Sequence, residues 1–240
     1  INGQKDEGFR AAHLQEGGDP FLATMLRVYR GYEETCERLG VIDFAELLLR
    51  ALELWKYNPQ VLAHYQQRFQ HILVDEFQDT NAVQYAWLRL LAGTVSGITA
   101  VGDDEQSIYG WRGAKVENIL SYERDFSNTH TVKLEQNYRS TSNILLAANA
   151  VIAKNADRLG KNLWTDSGEG EAIALYCAFN EHDESRYIAD RLQSWGNDGN
   201  RREDSAILYR SNAQSRVLEA ALLQADIPYR IYGGQRFYER

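Results

Sequence analysis

The tightest constraint on this chain is the run His71-Ile72-Leu73-Val74-Asp75-Glu76-Phe77-Gln78-Asp79-Thr80. Ile72, Leu73 and Val74 predict a short buried strand. It stops on two adjacent carboxylates, with a third at Asp79. Ligands of parallel α/β sheets sit beyond the carboxyl ends of the strands. Two acids at such an edge can hold Mg²⁺ and polarise a water for attack on a phosphate. Many α/β domains also end a strand in a merely solvated acid, so the run needs companions before it carries a function.

The stretch before it is helical. Residues 1–19 are polar and Gly-rich and predict a loop. From Pro20 the apolar residues Phe21, Leu22, Met25, Leu26, Val28, Tyr29 and Tyr32 recur at helical spacing up to Gly40. Asp43, with Glu46 three residues on, predicts a capping-box start for a helix from Phe44 to Trp55, with Phe44 in the core. Asn58-Pro59 opens a third helix to about Phe69. After Gln70 the pattern changes to strand 72–74, helix 81–92 and strand 98–101. A helix near 115–124 and a strand 131–134 follow. Strand, helix, strand with short linkers predicts parallel pairing.

From Glu135 a second α/β pattern begins. It has a helix at 141–153, a strand at 172–178, a helix at 183–195, a surface loop at 196–204, a strand at 206–209 and a helix near 212–225. A last strand is predicted at 229–232, and the tyrosine-rich tail 229–238 reads as strand and packing. Tyr138-Arg139-Ser140 and Tyr209-Arg210-Ser211 each lead into a helix, so an Arg stands at a strand-to-helix edge twice.

Composition enters mainly by what it argues against. Net charge is −8 and pI about 5.2, which speaks against holding nucleic acid by bulk electrostatics. A local basic groove stays open, because screening over about 8–10 Å makes local charge what a phosphate feels. Cys36 and Cys177 lack CxxC spacing and read as core residues of a reduced, cytoplasmic protein. The five histidines form no HExxH cluster. No apolar run approaches the ~20 residues that span a bilayer, so no membrane partner is expected. The chain opens on Ile1-Asn2-Gly3 and its one methionine is Met25, which reads as a piece of something longer.

Further residues join the acids. Gln106 follows the second strand, and such a Gln can touch a γ-phosphate and an attacking water. Tyr109, Trp111 and Arg112 put two aromatics and a guanidinium close behind it. Stacking on unpaired bases is worth roughly 1–3 kcal/mol per base on such platforms. Arg139 opens the second pattern, and an arginine finger from a neighbouring domain is worth about 10³–10⁵ in rate.

Together, residues 72–79 (ILVDEFQD), 101–114 (VGDDEQSIYGWRGA) and 134–140 (LEQNYRS) resemble motifs II, III and IV of the superfamily 1A DNA helicases, the UvrD/Rep/PcrA family. Residues 43–48 and 207–216 fit as well. The resemblance implies a partial RecA-like, P-loop NTPase helicase core of α/β class with an all-helical insertion at its N-terminal side. In those terms residues 1–69 belong to the insertion of the first motor domain and 70–134 to the rest of that domain. Residues 135–232 start the second RecA-like domain, and 233–240 start its own insertion.

The same resemblance implies the roles. Asp75 and Glu76 hold Mg²⁺, with Glu76 activating the hydrolytic water. Gln106 senses the γ-phosphate of ATP, Tyr138 stacks on its adenine, and Arg139 reaches its γ-phosphate. Tyr109, Trp111 and Arg112 contact single-stranded DNA, while Arg210, Asn212 and Arg216 lie near the DNA backbone. The implied activity is ATP-dependent 3′–5′ unwinding at single-strand/duplex junctions in repair and replication. Repair proteins and self-association through uncovered apolar faces are the expected protein contacts.

One departure stands out. No GxxxxGK[ST] occurs in the 240 residues, so the loop whose N–H groups cradle phosphates is not among them. The resemblance puts that loop upstream of Ile1 and motifs V and VI beyond Arg240. The stretch by itself is therefore expected to be inactive. A non-catalytic interaction module of a repair or recombination complex is the alternative, and metal-dependent nuclease chemistry at Asp75, Glu76 and Asp79 a weaker third.

Overall fold

Helix boundaries follow the local chemistry closely. The structure is a computed structural model that describes residues 1–15, 17–93, 97–156 and 158–232. Helix α2 (Pro20–Leu39) starts where Asp19 accepts a hydrogen bond from the Phe21 N–H at 2.9 Å and Pro20 supplies a ready φ. It ends at Gly40, whose φ of 66° is the left-handed C-cap. Helix α3 (Phe44–Tyr57) is capped by Asp43, which accepts from the Glu46 N–H at 2.7 Å. Only half of the expected capping box forms, because the Glu46 side chain turns to Lys5, Arg10 and Arg50 instead. Helix α4 (Pro59–Arg68) completes the helical stretch.

The expected loop at 1–19 is not all loop. Helix α1 (Asn2–Asp6) and a 3₁₀ turn at Ala11–His13 lie there, with Lys5 only 2% exposed. Ion pairs over long sequence separations are the reason, and polarity along the sequence does not display them. Lys5 Nζ lies 2.8 Å from both Asp43 and Glu46, and Arg10 reaches Glu53 at 2.6 Å and Glu46 at 2.9 Å. Phe44 is not a core residue but 90% exposed, since the buried stripe of α3 is Glu46, Leu49, Leu52 and Trp55.

Strand β1 (His71–Val74) pairs in parallel with β2 (Gly97–Ala100), Ile72 opposite Ile98. Helix α5 (Ala82–Ala92) connects them, starting from a full capping box between Asn81 and Gln84. The core gathers Trp55, Ile72, Phe77, Leu88, Leu91 and Ala92. Trp55 stacks on Trp87 at 4.5 Å between ring centroids. Phe77 is fully buried, edge-on to Tyr122 at 5.3 Å. Burying such a ring contributes about 1.5–3 kcal/mol.

The strand is covered on one face only: Ile72 is buried while Leu73 is 82% exposed. The expected strands at 131–134, 172–178, 206–209 and 229–232 do not form among the described residues, which hold a single two-stranded sheet. A strand exists through hydrogen bonds to a neighbour, and an apolar segment cannot supply its own. Leu134, Leu175 and Leu208 are accordingly 75%, 90% and 92% exposed. Cys177, expected in the core, sits exposed in one of these segments, and Cys36 is half-buried. The helix near 115–124 is two short ones, α6 (Glu117–Leu120) and α7 (Tyr122–Asp125). Asn118 is pinned to Thr80 and Tyr122 to the Ile98 carbonyl, which holds the two pieces separately.

The chain divides into two compact units, Ile1–Gly170 and Glu171–Arg240. Helix α8 (Ser142–Ile152) lies in the first. In the second, α9 (Glu181–Asn197) packs on α10 (Ser215–Gln224) around Ala189, Leu222 and Ile227. The 196–204 loop therefore begins inside α9 and contains a 3₁₀ turn at Arg202–Asp204. The expectation for 233–240 lies outside the described residues. Among the described residues no helix is long and apolar enough to cross a membrane.

The charge network dictates an acid response. Burial pushes the Glu46 carboxyl up, but hydrogen bonds from Arg50, Lys5 and Arg10 outweigh it and hold the group at about 2 against an ordinary 4.5. Asp43 is likewise held low against its own burial by Lys5, Tyr32 and the Glu46 N–H. Both contribute stability that is complete above the ordinary value and lost as pH falls through the depressed one. The urea midpoint should therefore drop as pH goes from 4.5 towards 2. Glu46→Gln should flatten that slope and cost about 1.5–3 kcal/mol at neutral pH, since it takes from buried Lys5 one of its two carboxylates. A wild-type midpoint flat over that window would contradict the assignment.

Candidate functional site

The site begins where β1 ends. Val101 donates its N–H to the Val74 carbonyl at 2.7 Å, and Phe77 donates to the Val101 carbonyl at 3.0 Å. The chain after β1 is thus bent across the end of β2, and Asp75 and Glu76 stand exposed at the shared edge. Glu76 takes a left-handed backbone conformation, φ 51° and ψ 44°, shared among described non-glycine residues only by Asn128 and Asp226. Such a conformation costs about 1–3 kcal/mol and persists only when surroundings enforce it. Asp75 Oδ1 accepts the Glu76 N–H at 2.9 Å, the Asp79 N–H donates to the Glu76 carbonyl at 3.0 Å, and buried Phe77 anchors the next residue.

The Glu76 side chain is held as well. Gln78 Nε2 donates to Glu76 Oε2 at 2.7 Å, and Gln78 Oε1 accepts the Asp103 N–H at 2.9 Å. Gln78 is 1% exposed. Asp103 Oδ2 then accepts from Gln106 Nε2 at 2.6 Å. Asp75, Glu76 and Gln106 are therefore brought into one hydrogen-bonded neighbourhood, and Gln78 and Asp103 are its links. Asp79 is half-buried, with Oδ1 unpartnered among the described residues; burial and the Glu76 charge push its carboxyl up.

The loop carrying Gln106 is clasped from behind. Lys161 Nζ meets Asp103 at 2.7 Å, Arg158 meets Glu105 at 2.5 Å, and the Leu159 N–H donates to Asp104 at 2.8 Å. Burial pushes the Asp103 carboxyl up, but Lys161 and Gln106 outweigh it and hold it below the usual aspartate range. Asp103 also caps the 3₁₀ turn Asp104–Gln106 through the Glu105 N–H.

Further along the same loop, Tyr109 and Trp111 lie 6.3 Å apart and tilted, Trp111 being 73% exposed. The Arg112 guanidinium sits 5.4 Å from the Tyr109 ring and 5.2 Å from the Trp111 ring. This is a cationic, aromatic surface open to solvent, not a core cluster.

Tyr138 and Arg139 form a separate exposed turn. Asn137 Oδ1 accepts the N–H groups of Arg139 and Ser140, and the Tyr138 hydroxyl donates to Gln136 at 2.8 Å. Among the described residues no hydrogen bond or ion pair joins either to Asp75, Glu76 or Gln106. Arg210, Asn212 and Arg216 are exposed in the second unit, where Gln214 accepts the Arg210 and Ser211 N–H groups. Glu219, on the same helix as Arg216, accepts the Tyr229 hydroxyl at 3.1 Å.

Sequence reasoning passed over Gln78, Arg158 and Lys161. Two cations facing three consecutive acids, Asp103-Asp104-Glu105, offered a charge-matching signal; burial of Gln78 offered none. The donor set at the strand edge suits Mg²⁺, which takes one or two carboxylates and completes its shell with phosphate oxygens and water. No group of three or more His, Cys, Asp or Glu is placed for a metal among the described residues.

The loop approaches Gln78 at backbone contact. A Cβ on Gly102 would fall 2.8 Å from Gln78 Oε1, 3.0 Å from Ile119 Cδ1 and 3.2 Å from the Phe77 nitrogen. Gly102→Ala should destabilise by about 1–3 kcal/mol, as overpacking does. Thermal unfolding checks it, and an unchanged midpoint would mean the loop can lift off at no cost.

Comparison with known proteins places two family matches one after the other along the chain. Residues 1–127 match the UvrD/REP helicase N-terminal domain and residues 132–240 the UvrD-like helicase C-terminal domain. The chain is 62% identical over its 240 residues to DNA helicase II of Escherichia coli and 54% to that of Haemophilus influenzae, covering 33% of each. It is 44% identical over 241 aligned residues to the ATP-dependent DNA helicase PcrA of Staphylococcus epidermidis, again covering 33%. The chain thus spans about a third of the length of these curated relatives. On the two domain matches together, the chain belongs to the UvrD/REP helicase family.

Proposed function

We propose that these 240 residues form the central part of an ATP-dependent 3′–5′ DNA helicase, spanning two RecA-like motor domains. Residues 1–69 serve as the insertion of the first domain and 70–134 as its remainder. Residues 135–232 begin the second, and 233–240 lead into its insertion. The observation that carries the reading is the hydrogen-bonded path from Glu76 to the loop bearing Gln106 and the exposed Trp111. It gives a hydrolytic site and a base-stacking surface one loop in common, as a motor requires. The relatives' names, DNA helicase II and ATP-dependent DNA helicase PcrA, point the same way.

In this reading Asp75 and Glu76 hold Mg²⁺, which neutralises charge developing on the phosphates. Glu76, held in place by its left-handed backbone and by Gln78, takes the proton of the attacking water. Gln106 contacts the γ-phosphate. Tyr138 presents an 81% exposed ring for the adenine, and Arg139 an exposed guanidinium for the γ-phosphate. Tyr109, Trp111 and Arg112 take the bases of single-stranded DNA, and Arg210, Asn212 and Arg216 its phosphates. Duplex junctions, repair and replication partners follow from the same family reading.

In the complete polypeptide, Glu76→Gln should lower ATP turnover by about 10²–10⁴-fold, the usual worth of a general base, while ATP and DNA binding persist. Unchanged turnover would remove Glu76 from the mechanism.

The 240 residues alone contain no GxxxxGK[ST], and purified by themselves they should neither bind ATP tightly nor hydrolyse it above background with single-stranded DNA. Turnover there would overturn this part. The same missing motif favours a second reading, a non-catalytic module docking on a repair complex; nucleotide-independent capture of one defined partner would support it.

A further inference from the structure

A buried amide is costly unless both its polar ends are satisfied. Gln78, 1% exposed in the 3₁₀ turn Phe77–Asp79, satisfies them on two different functional segments. Its orientation is dictated by the main chain. The Asp103 N–H can only donate, so the oxygen of the amide must face it, at 2.9 Å. The amide nitrogen is then compelled to face Glu76, at 2.7 Å from Oε2. One carboxylate oxygen of Glu76 is thereby committed to a donor. The other has no hydrogen-bond partner among the described residues.

The far end of the link is the start of the loop that carries Gln106, Tyr109, Trp111 and Arg112. Asp103, whose N–H engages Gln78, also binds Gln106 through its carboxylate and is gripped by Lys161. Gly102 brings the loop backbone against the amide with no room for a Cβ. A shift of the loop by an ångström must either break the bond to Asp103 or rotate the amide. Rotation moves the donor offered to Glu76, and a broken bond removes the contact that fixes that donor's orientation.

We infer that Gln78 is a positioning residue that holds the Glu76 carboxylate for hydrolysis and passes the position of the Gln106–Trp111 loop to it. This rests on the motor reading above and adds a coupling element to it. DNA stacked on Trp111 acts on hydrolysis through a single side-chain amide, beyond any direct contact of Gln106 with nucleotide.

The test uses the complete polypeptide with Gln78→Met, which keeps length and removes both hydrogen bonds. Steady-state ATP hydrolysis is measured with and without oligo(dT), together with DNA affinity by fluorescence anisotropy and thermal stability. The expected result is a kcat in DNA lowered about 10–100-fold, the scale of an ångström of misplacement. KM for ATP and Kd for oligo(dT) should stay within about twofold, and stimulation by DNA should fall towards unity. Adding Gln78→Met to Glu76→Gln should cause no further loss, as for residues acting as one unit. Should Gln78→Met not fold, Gly102→Ala displaces the same amide from the loop side and must give the same split between kcat and KM.

Unchanged kcat and DNA stimulation in Gln78→Met, with Glu76→Gln inactive, overturns the relay and leaves the motor reading standing. A parallel fall of kcat, ATP affinity, DNA affinity and melting temperature also overturns it, as the mark of a purely structural residue. Wild-type turnover in Glu76→Gln overturns the reading beneath the relay, and the relay with it.

Discussion

Two backbone hydrogen bonds past the ends of the β1–β2 ladder set the geometry of the first unit, Val101 N–H to Val74 O and Phe77 N–H to Val101 O. They bring the ends of both strands to one edge and turn the chain sharply at Asp75-Glu76. The turn forces Glu76 into a left-handed backbone, and burial of Phe77 and Gln78 on its far side makes that conformation the cheaper choice. Neither the acids nor the Gln106 loop has freedom to settle elsewhere once this edge has formed. Parallel pairing brings two carboxyl ends together, and functional groups gather there for that reason.

Around this edge, charge does what apolar area cannot. Lys5 and Arg10 suture the N-terminal segment to α3 through Asp43, Glu46 and Glu53. Arg158 and Lys161 clasp two acids of the Gln106 loop, Glu105 and Asp103. Both sets are partly or fully buried, so their value lies in specifying one arrangement more than in net stability. An apolar substitute could pack these segments as tightly without fixing which residue faces which. The loop that carries Gln106 and Trp111 is fixed in this way.

Exposed surface follows the opposite logic. Trp111 and Arg112 stand in solvent although an indole and a guanidinium can cover each other. Leu134, Leu175 and Leu208 stand there because their segments find no strand to pair with among the described residues. The first exposure accompanies polar groups and a rigid loop. The second accompanies backbone left without a ladder. Amount of apolar surface alone does not tell the two apart; the hydrogen bonding of the backbone beneath does.

Much of the local structure was legible in the chain: the start of α2 at Pro20, the Asp43 cap of α3, the Gly40 stop and the extent of α5 follow from short-range chemistry, and the strand–helix–strand order pointed to parallel pairing of the two strands. So were the motif residues, since Asp75, Glu76, Gln106 and Trp111 stand out by type and spacing. What the sequence could not carry was everything depending on a distant partner. Burial of Lys5, exposure of Phe44, the unformed strands at 172–178 and 206–209, and the two-ended role of Gln78 were decided only by the tertiary structure. Helix caps are written within a few residues of chain, whereas a buried ion pair, a strand or a bridging amide exists only once segments tens of residues apart have met.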